Sequence, residues 1–114
     1  FSLMVQFMRE FGFEKLIVWQ ESRNLAVKVY ELTKDFPEAE KFGLSSQIRR
    51  AITSVCANIT EGSTRKTQKD KEHFYRMAYG SLMELLAHLI IATDLHYISN
   101  EQQIELRMDI EKLA

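Results

Sequence analysis

Residues 36–62, FPEAEKFGLSSQIRRAITSVCANITEG, contain the signals that decide the fold of this chain. Pro37 ends any helix before it, because proline lacks an N–H and its ring clashes with the preceding turn. Gly43 marks the start of a second helix, predicted from about residue 45 to residue 61, and Gly62 suits the left-handed conformation that closes many helices. The apolar residues recur at helical spacing and predict one buried face: Leu44, Ile48, Ala51 or Ile52, Val55 and Ile59.

A first helix is predicted before Pro37, from about residue 14 to residue 36. Its apolar and small residues alternate at spacings of four and three, which places them on one face. This stripe comprises Val18, Ser22, Leu25, Val29, Leu32 and Phe36.

The third helix is predicted to be the longest, from about residue 68 to residue 98. Thr67, with Asp70 three residues later, forms a start similar to a capping box. Two apolar stripes follow its length where one suffices for a helix on the surface of a monomer, so we expect the second to meet either an inner helix or another subunit. The first comprises Phe74, Ala78, Ser81, Leu85, His88, Ala92 and Leu95. The second, which we predict to be a subunit interface, comprises Tyr75, Tyr79, Leu82, Leu86 and Leu89.

Gly80 lies in the middle of this third helix. A glycine there costs about 1 kcal/mol relative to alanine, so a packing reason is expected. Close approach of another helix is the reason we predict.

A fourth helix opens at Ser99, with Gln102 as the partner in a capping box and Ile104 and Met108 as apolar positions. It is short beside the third helix, so we expect it to be truncated. The connections between the four helices are short, which favours antiparallel neighbours. The sequence therefore predicts an all-α fold, an antiparallel up-down-up-down four-helix bundle.

The length of 114 residues fits one domain, predicted over residues 14–114. Residues 1–13 are expected to be an added or disordered extension. Their apolar run ends at Arg9 and is too short to span a membrane. The formal net charge of −1 implies no general affinity for polyanions. The single cysteine, Cys56, excludes an intrachain disulfide and fits a cytoplasmic protein.

Few residues suggest chemistry. Glu84 and His88 lie four residues apart and could bind a metal. Di-metal bundles need a second Glu-x-x-His motif, which this sequence lacks, so we favour a hydrogen-bonded pair. Cys56 is interpreted as a small buried hydrophobe rather than a nucleophile. We predict no catalytic residue, metal ligand or cofactor, and a protein that is not an enzyme.

The strongest functional candidate is a basic group within residues 44–71, where six basic side chains stand against two acidic ones. Adjacent arginines on a helix diverge by about 100°, so one is expected to pair with Glu61 or Glu84 while the other is exposed. The others lie on a loop and a first helical turn and could contact phosphates. A solvated charged loop is the alternative, and we give it more weight. The candidate nucleic-acid-binding residues are Arg49, Arg50, Arg65, Lys66, Lys69 and Lys71.

Together these patterns resemble the 23S rRNA intervening-sequence proteins, a family of small helical bundles. The first block of the resemblance is Phe36-Pro37, Glu40, Phe42-Gly43-Leu44, Gln47, Arg49-Arg50-Ala51, Ser54, Asn58-Ile59 and Glu61-Gly62. The second is Ala78, Gly80-Ser81-Leu82, Glu84-Leu85 and Leu89, and the first helix adds Trp19 and Tyr30. The chain departs from the family pattern at Cys56, Thr60 and Leu86, where proline, alanine and a second glutamate are common.

The resemblance implies an antiparallel four-helix bundle that assembles into a homopentamer. The related accessory variability determinants of diversity-generating retroelements bind nucleic acid but are strongly basic, which this chain is not. The predicted function is a non-enzymatic, homo-oligomeric binding or scaffold protein whose partners are itself and RNA or a ribonucleoprotein, with no membrane. The alternative is a protein-binding adaptor with no nucleic-acid affinity.

Overall fold

The computed structural model describes residues 8–114 and confirms the predicted all-α four-helix bundle. The helices are α1 (Ile17–Thr33), α2 (Leu44–Thr64), α3 (Gln68–Asp94) and α4 (Asn100–Leu113). Short 3-10 helices at Gly12–Lys15 and Glu38–Glu40 precede α1 and α2.

Each helix packs antiparallel to the next, and α4 lies beside both α3 and α1. Side-chain hydrogen bonds join each pair of neighbours at heights that fit the antiparallel order. They link Thr33 with Arg49 (α1 to α2, 2.8 Å), Ser54 with Ser81 (α2 to α3, 2.9 Å), Thr93 with Gln103 (α3 to α4, 2.9 Å) and Lys28 with Asp109 (α1 to α4, 2.8 Å).

The core draws apolar side chains from all four helices, and on α1 and α2 it follows the predicted stripes. On α3 the buried face takes residues from both predicted stripes. Ala78, Leu85 and Ala92 come from the first stripe, and Leu82 and Leu89 come from the second. The stripes are therefore the two flanks of one core-facing surface, because α2 and α4 pack on either side of α3. This removes the double stripe as an argument for a second partner.

The C-terminal end of α2 differs from the prediction. The helix continues to Thr64, and no glycine among residues 8–114 has a positive φ, so the left-handed cap at Gly62 was wrong. This glycine serves a different purpose: a Cβ there would lie 2.5 Å from Cε1 of the Tyr75 ring. Gly62 thus allows α3 to pack closely against the last turns of α2.

α3 ends at Asp94, before the predicted end at residue 98. His96 adopts a left-handed conformation with a φ of 63°. The N–H of Tyr97 donates to the carbonyl of Ala92 (2.9 Å), and the N–H of His96 donates to the carbonyl of Thr93 (3.0 Å). These bonds define a Schellman motif, which turns the chain into α4.

The starts of α3 and α4 agree with the sequence. Thr67 Oγ1 accepts from the N–H of Asp70 at 3.1 Å. Ser99 Oγ accepts from the N–H of Gln102 at 3.1 Å, and Gln102 Oε1 accepts from the N–H of Ser99 at 2.9 Å. The predicted capping box of the fourth helix is confirmed.

The buried face of α4 consists of Leu106 and Ile110. Ile104 and Met108, the predicted apolar positions, are 55% and 60% exposed. The contacts of Asp109 with α1 and of Gln103 with α3 fix the rotation of α4, so the face between them points inward.

Residues 1–7 of the predicted extension lie outside the described residues. Phe13, which the sequence assigned to the extension, packs edge-on against Trp19 of α1 with ring centroids 4.8 Å apart. The packed fold thus includes the 3-10 helix Gly12–Lys15. Within residues 8–114, no helix combines the length and the apolar character that crossing a membrane requires.

Candidate nucleic-acid and assembly surfaces

Four of the predicted basic residues gather at the turn between α2 and α3, which we call the basic turn: Arg65, Lys66, Lys69 and Lys71. Two of them make contacts within the chain. Arg65 forms a 2.8 Å ion pair with Glu61 and stacks on Phe74, 4.5 Å from the ring centroid. Lys71 Nζ lies 3.4 Å from the carbonyl oxygens of Gly62 and Ser63. The Lys71 contacts help to satisfy the last carbonyls of α2, as a cation near a helix C-terminus does.

Lys66 and Lys69 are the free members of the basic turn. Both are exposed, and neither forms an ion pair with another of residues 8–114. Their charges therefore face solvent at the end of the bundle.

Arg49 and Arg50 diverge as predicted, but the predicted carboxylate partner is wrong. Arg49 Nε donates to Thr33 Oγ1 at 2.8 Å, and its guanidinium stacks on Tyr30, 4.7 Å from the ring centroid. Since Glu61 lies about three turns further along α2 and pairs with Arg65, it cannot reach Arg49. Arg49 thus pins α2 to the end of α1.

Arg50 is exposed and borders a shallow polar groove between α2 and α3 that also includes Ser54, Ser81 and Glu84. Because Arg49 and Arg50 lie four turns from the basic turn, the structure does not bring the six candidate residues into one patch. The four residues of the basic turn form one cluster, separate from Arg49 and Arg50.

The predicted subunit interface is divided by the structure. Leu82 and Leu89 are 2% and 0% exposed, so they belong to the core of the chain and cannot meet a partner. Leu86 is half-buried against the same core. Tyr75 and Tyr79 keep 38% and 51% of their surface exposed.

Tyr75 and Tyr79 line an apolar groove of about 310 Å³ at the same end of the bundle as the basic turn. We call it the end groove. Its lining is almost wholly apolar and comes from α1, α2, α3 and the end of α4: Val18, Val55, Ile59, Tyr75, Ala78, Tyr79, Leu82, Leu113 and Ala114.

Glu84 and His88 meet as predicted, with Nε2 and Oε1 3.4 Å apart. The His88 side chain is 16% exposed, and its Nδ1 has no hydrogen-bond partner among the described residues. Residues 8–114 contain no group of three or more metal-ligating side chains.

Cys56, predicted to be a small buried hydrophobe, is only half-buried. Burial raises the pKa of its thiol, and a hydrogen bond with Ser22 partly offsets that rise. A raised pKa keeps the sulfur protonated at neutral pH, which disfavours nucleophilic chemistry.

Phe42 lies within residues 36–62, but no role was predicted for it. Phe42 lies on the loop before α2 and is 90% exposed. Its position in a Phe-Gly pair at a predicted helix start was the signal that could have identified it, because glycine there indicates a special backbone conformation that orients its neighbours. Gly43 has φ −108° and ψ −113°.

The fold and these surfaces define a four-helix-bundle protein with a basic turn and an open apolar groove at one end. The sequence matches the family described as 23S rRNA-intervening sequence protein over residues 14–114, and the chain belongs to that family. It is also similar to the solved structure of a protein with unknown function from the S23 ribosomal protein family of Bacteroides thetaiotaomicron VPI-5482. That similarity has a TM-score of 0.76 and 26% identity, and it covers 85% of this chain and 91% of that chain. No curated protein matches the chain.

Proposed function

We propose that this protein is a non-enzymatic, self-assembling helical bundle that binds RNA phosphates, alone or within a ribonucleoprotein, through its basic turn. The observation that carries the proposal is the geometry of Lys66 and Lys69. Both project from the end of the bundle without an internal ion pair among residues 8–114, so their charges can meet a polyanion. The family description, which names ribosomal RNA, agrees with this partner class.

The charge of one copy is too small for tight binding. Each phosphate contact contributes through counterion release, and two free lysines give a weak footprint. Assembly into a homo-oligomer would repeat the basic turn and strengthen binding through effective concentration. A pentamer is the assembly that the family resemblance favours. The exposed surface of Tyr75 and Tyr79 supports self-association, because exposed aromatic residues are typical of interfaces.

The test is a titration of the purified protein against an RNA hairpin and a single-stranded DNA oligonucleotide at several salt concentrations. We expect the logarithm of the affinity to fall linearly with the logarithm of salt concentration. A double variant with alanine at both Lys66 and Lys69 should bind both probes more weakly. The slope of log affinity against log salt concentration should become shallower by about two. The matched control substitutes Lys34 and Lys41, two exposed lysines at the opposite end, and should leave binding unchanged.

Absence of binding at low salt, or equal effects of the two double variants, would refute the proposal. A protein-binding adaptor without nucleic-acid affinity is then the second candidate. Phe42 favours it, because a 90% exposed aromatic side chain suits a protein pocket. A retroelement role is not part of the proposal, since the net charge of −1 differs from that of the strongly basic accessory variability determinants. The single cysteine is compatible with a cytoplasmic location.

A further inference from the structure

Three polar side chains are buried in the described part of the chain, those of Ser22, Thr33 and Ser45. Ser22 Oγ donates to the carbonyl of Trp19 at 2.7 Å, and Thr33 Oγ1 donates to the carbonyl of Tyr30 at 3.1 Å. Ser45 is only 7% exposed, yet its hydroxyl has no hydrogen-bond partner among residues 8–114. Because buried hydroxyls are normally hydrogen-bonded, a group from outside the chain is expected to complete this one.

Ser45 lines a cavity of about 190 Å³ at the end of the bundle that carries Phe42, which we call the Phe42 end. All of the lining residues fall within residues 33–49, so the end of α1, the loop after it and the first turns of α2 build the cavity. Ala114 lies at the opposite end of the bundle, beside the first turns of α3. The volume is below the roughly 300 Å³ at which pockets for drug-sized ligands begin, which suits a small ion.

The wall of this cavity carries positive charge. Lys34, Lys41 and Arg49 line it, against one acidic side chain, Glu38. Lys41 is exposed and forms no ion pair within residues 8–114. Lys34 pairs with Glu31 at 3.0 Å, but both side chains are more than 60% exposed, so this pair is weak and Lys34 can turn to another anion.

The backbone at the start of α2 adds hydrogen-bond donors. The N–H of Leu44 donates to Glu40 Oε1 at 3.3 Å. The next two N–H groups, those of Ser45 and Ser46, have no acceptor among residues 8–114. Unsatisfied N–H groups and the partial positive charge at a helix N-terminus favour an anion.

The C-terminal end of α1, whose carbonyls would repel an anion, is already covered by donors. The carbonyl of Tyr30 accepts from Thr33 Oγ1 and from Arg49 Nη2, the latter at 3.4 Å. The carbonyl of Thr33 accepts from the N–H of Phe36 at 3.2 Å. Because Nε and Nη2 of Arg49 are used in this way, its Nη1 is the part of the guanidinium left to meet an anion.

From these observations we infer that the cavity binds one phosphate group, either as the free ion or as the phosphomonoester of a small molecule. The Ser45 hydroxyl donates to a phosphate oxygen, and Lys34, Lys41 and Arg49 supply the opposing charge. Donors from α1, from the loop and from α2 surround the cavity on three sides, which suits a tetrahedral oxyanion. The site is distinct from the basic turn and lies at the other end of the bundle.

An RNA chain does not suit this site. Residues 31–43 and 94–101, which meet at the Phe42 end, carry six acidic side chains against two basic ones and repel a polyanion. An internal phosphodiester also carries a nucleotide on each side, which a cavity of about 190 Å³ does not hold. Lys34 and Lys41 therefore remain suitable controls for the RNA titration.

The experiment follows the backbone amides of the full chain by proton–nitrogen correlation NMR while inorganic phosphate is added at constant ionic strength. We expect the signals of Ser45 and Ser46 to shift and to saturate. Ser45→Ala removes a hydroxyl that has no partner within residues 8–114, so its melting temperature should stay unchanged. It should weaken phosphate binding about tenfold or more, as expected for a hydrogen bond to a charged group.

Ser46→Ala is the matched control. It makes the same exchange at the next position of the same helical turn, where the side chain does not line the cavity. It should bind phosphate like the parent. Lys41→Gln, at an exposed position on the loop, should weaken phosphate binding while leaving the fold intact.

Adenosine monophosphate, added in place of inorganic phosphate, distinguishes the two sources. Shifts of the same amides assign the site to a phosphomonoester, whereas their absence assigns it to the free ion. The inference is overturned if chloride at equal ionic strength reproduces the phosphate shifts, if Ser45→Ala binds phosphate like the parent, or if Ser46→Ala weakens binding equally. None of these outcomes depends on Lys66 or Lys69, so the phosphate site and the proposed RNA contact can fail separately.

Discussion

The hydroxyl of Tyr97 donates a 2.9 Å hydrogen bond to Glu40 across 57 positions of sequence. The bond joins the turn that follows α3 to the loop that precedes α2, and Phe36 supports it by packing against the Tyr97 ring, with centroids 5.4 Å apart. The same carboxylate caps the first turn of α2. One acidic residue thus fixes the loops at the Phe42 end of the bundle.

The bond gives a pH dependence of stability. The hydrogen bond to Glu40 raises the pKa of Tyr97 above its usual 10.0, with burial and the charge of the carboxylate adding to the effect. A raised pKa in the folded state means that the contribution is fully present below pH 10.0 and is lost as the pH rises through the raised value. We expect Tyr97→Phe to be less stable than the parent at neutral pH and the difference to shrink as the pH rises above 10.0.

Urea unfolding of both proteins at a series of pH values measures this difference. A gap in the unfolding midpoint that stays constant across the range would show that ionisation of Tyr97 plays no part. A vanishing gap at neutral pH would show that the bond contributes nothing.

Two helical glycines should respond in opposite ways to alanine. At Gly80 a Cβ meets nothing within 4 Å among residues 8–114, so the close helix approach predicted there is not found within the chain. Gly80→Ala should therefore stabilise the chain by about 0.5–1 kcal/mol through helix propensity. At Gly62 the Cβ would lie 2.5 Å from the Tyr75 ring, so Gly62→Ala should destabilise it by about 1–3 kcal/mol. Denaturant unfolding of monomeric protein measures both.

Tyr75→Ala provides the control for this pair. In that background the obstacle to a Cβ at residue 62 is gone, so Gly62→Ala should cease to be destabilising. Destabilisation that persists without the Tyr75 ring would contradict the packing explanation.

His96→Gly should stabilise the fold. The left-handed conformation of His96 costs a residue with a Cβ about 1–2 kcal/mol, whereas glycine adopts it freely at a smaller entropic cost. We expect a net gain of about 0.5–1 kcal/mol in thermal or urea unfolding. The control is His73→Gly, the same exchange at an exposed position inside α3, which should destabilise by about 1 kcal/mol. Equal effects at the two positions would contradict the prediction.

The sequence was sufficient for the fold because local signals and periodicity agreed. Pro37, Thr67 and Ser99 separate the helices, and the apolar spacing of α1 and α2 identifies their buried faces. The end of α2 was wrong because glycine suits both a left-handed cap and a close contact. Only the position of Tyr75 in three dimensions distinguishes the two.

The candidate surfaces were less accessible to sequence reasoning. Two apolar stripes on one helix look the same whether they face two partners or form the flanks of one wide core face. The burial of Leu82 and Leu89 shows that these two residues of the second stripe belong to the core face. Likewise, the partner of Arg49 lies on another helix, so spacing along α2 could not identify Thr33.

The basic residues should separate by experiment into structural and phosphate-binding members. Arg49→Lys loses the planar group that bonds Thr33 and stacks on Tyr30, so it should destabilise the chain by about 1 kcal/mol, while affinity for RNA stays unchanged. Arg50→Lys is the matched control. Arg50 follows Arg49 in the sequence but is exposed, so neither the stability nor the RNA affinity should change. Replacing Lys66 and Lys69 with alanine should reduce RNA affinity and leave stability intact, because neither side chain forms an ion pair within residues 8–114. Unfolding and RNA titration of the same four proteins measure both effects. If Arg49→Lys instead lowered RNA affinity at unchanged stability, Arg49 would belong to the binding surface, and the basic turn could not be the whole of it.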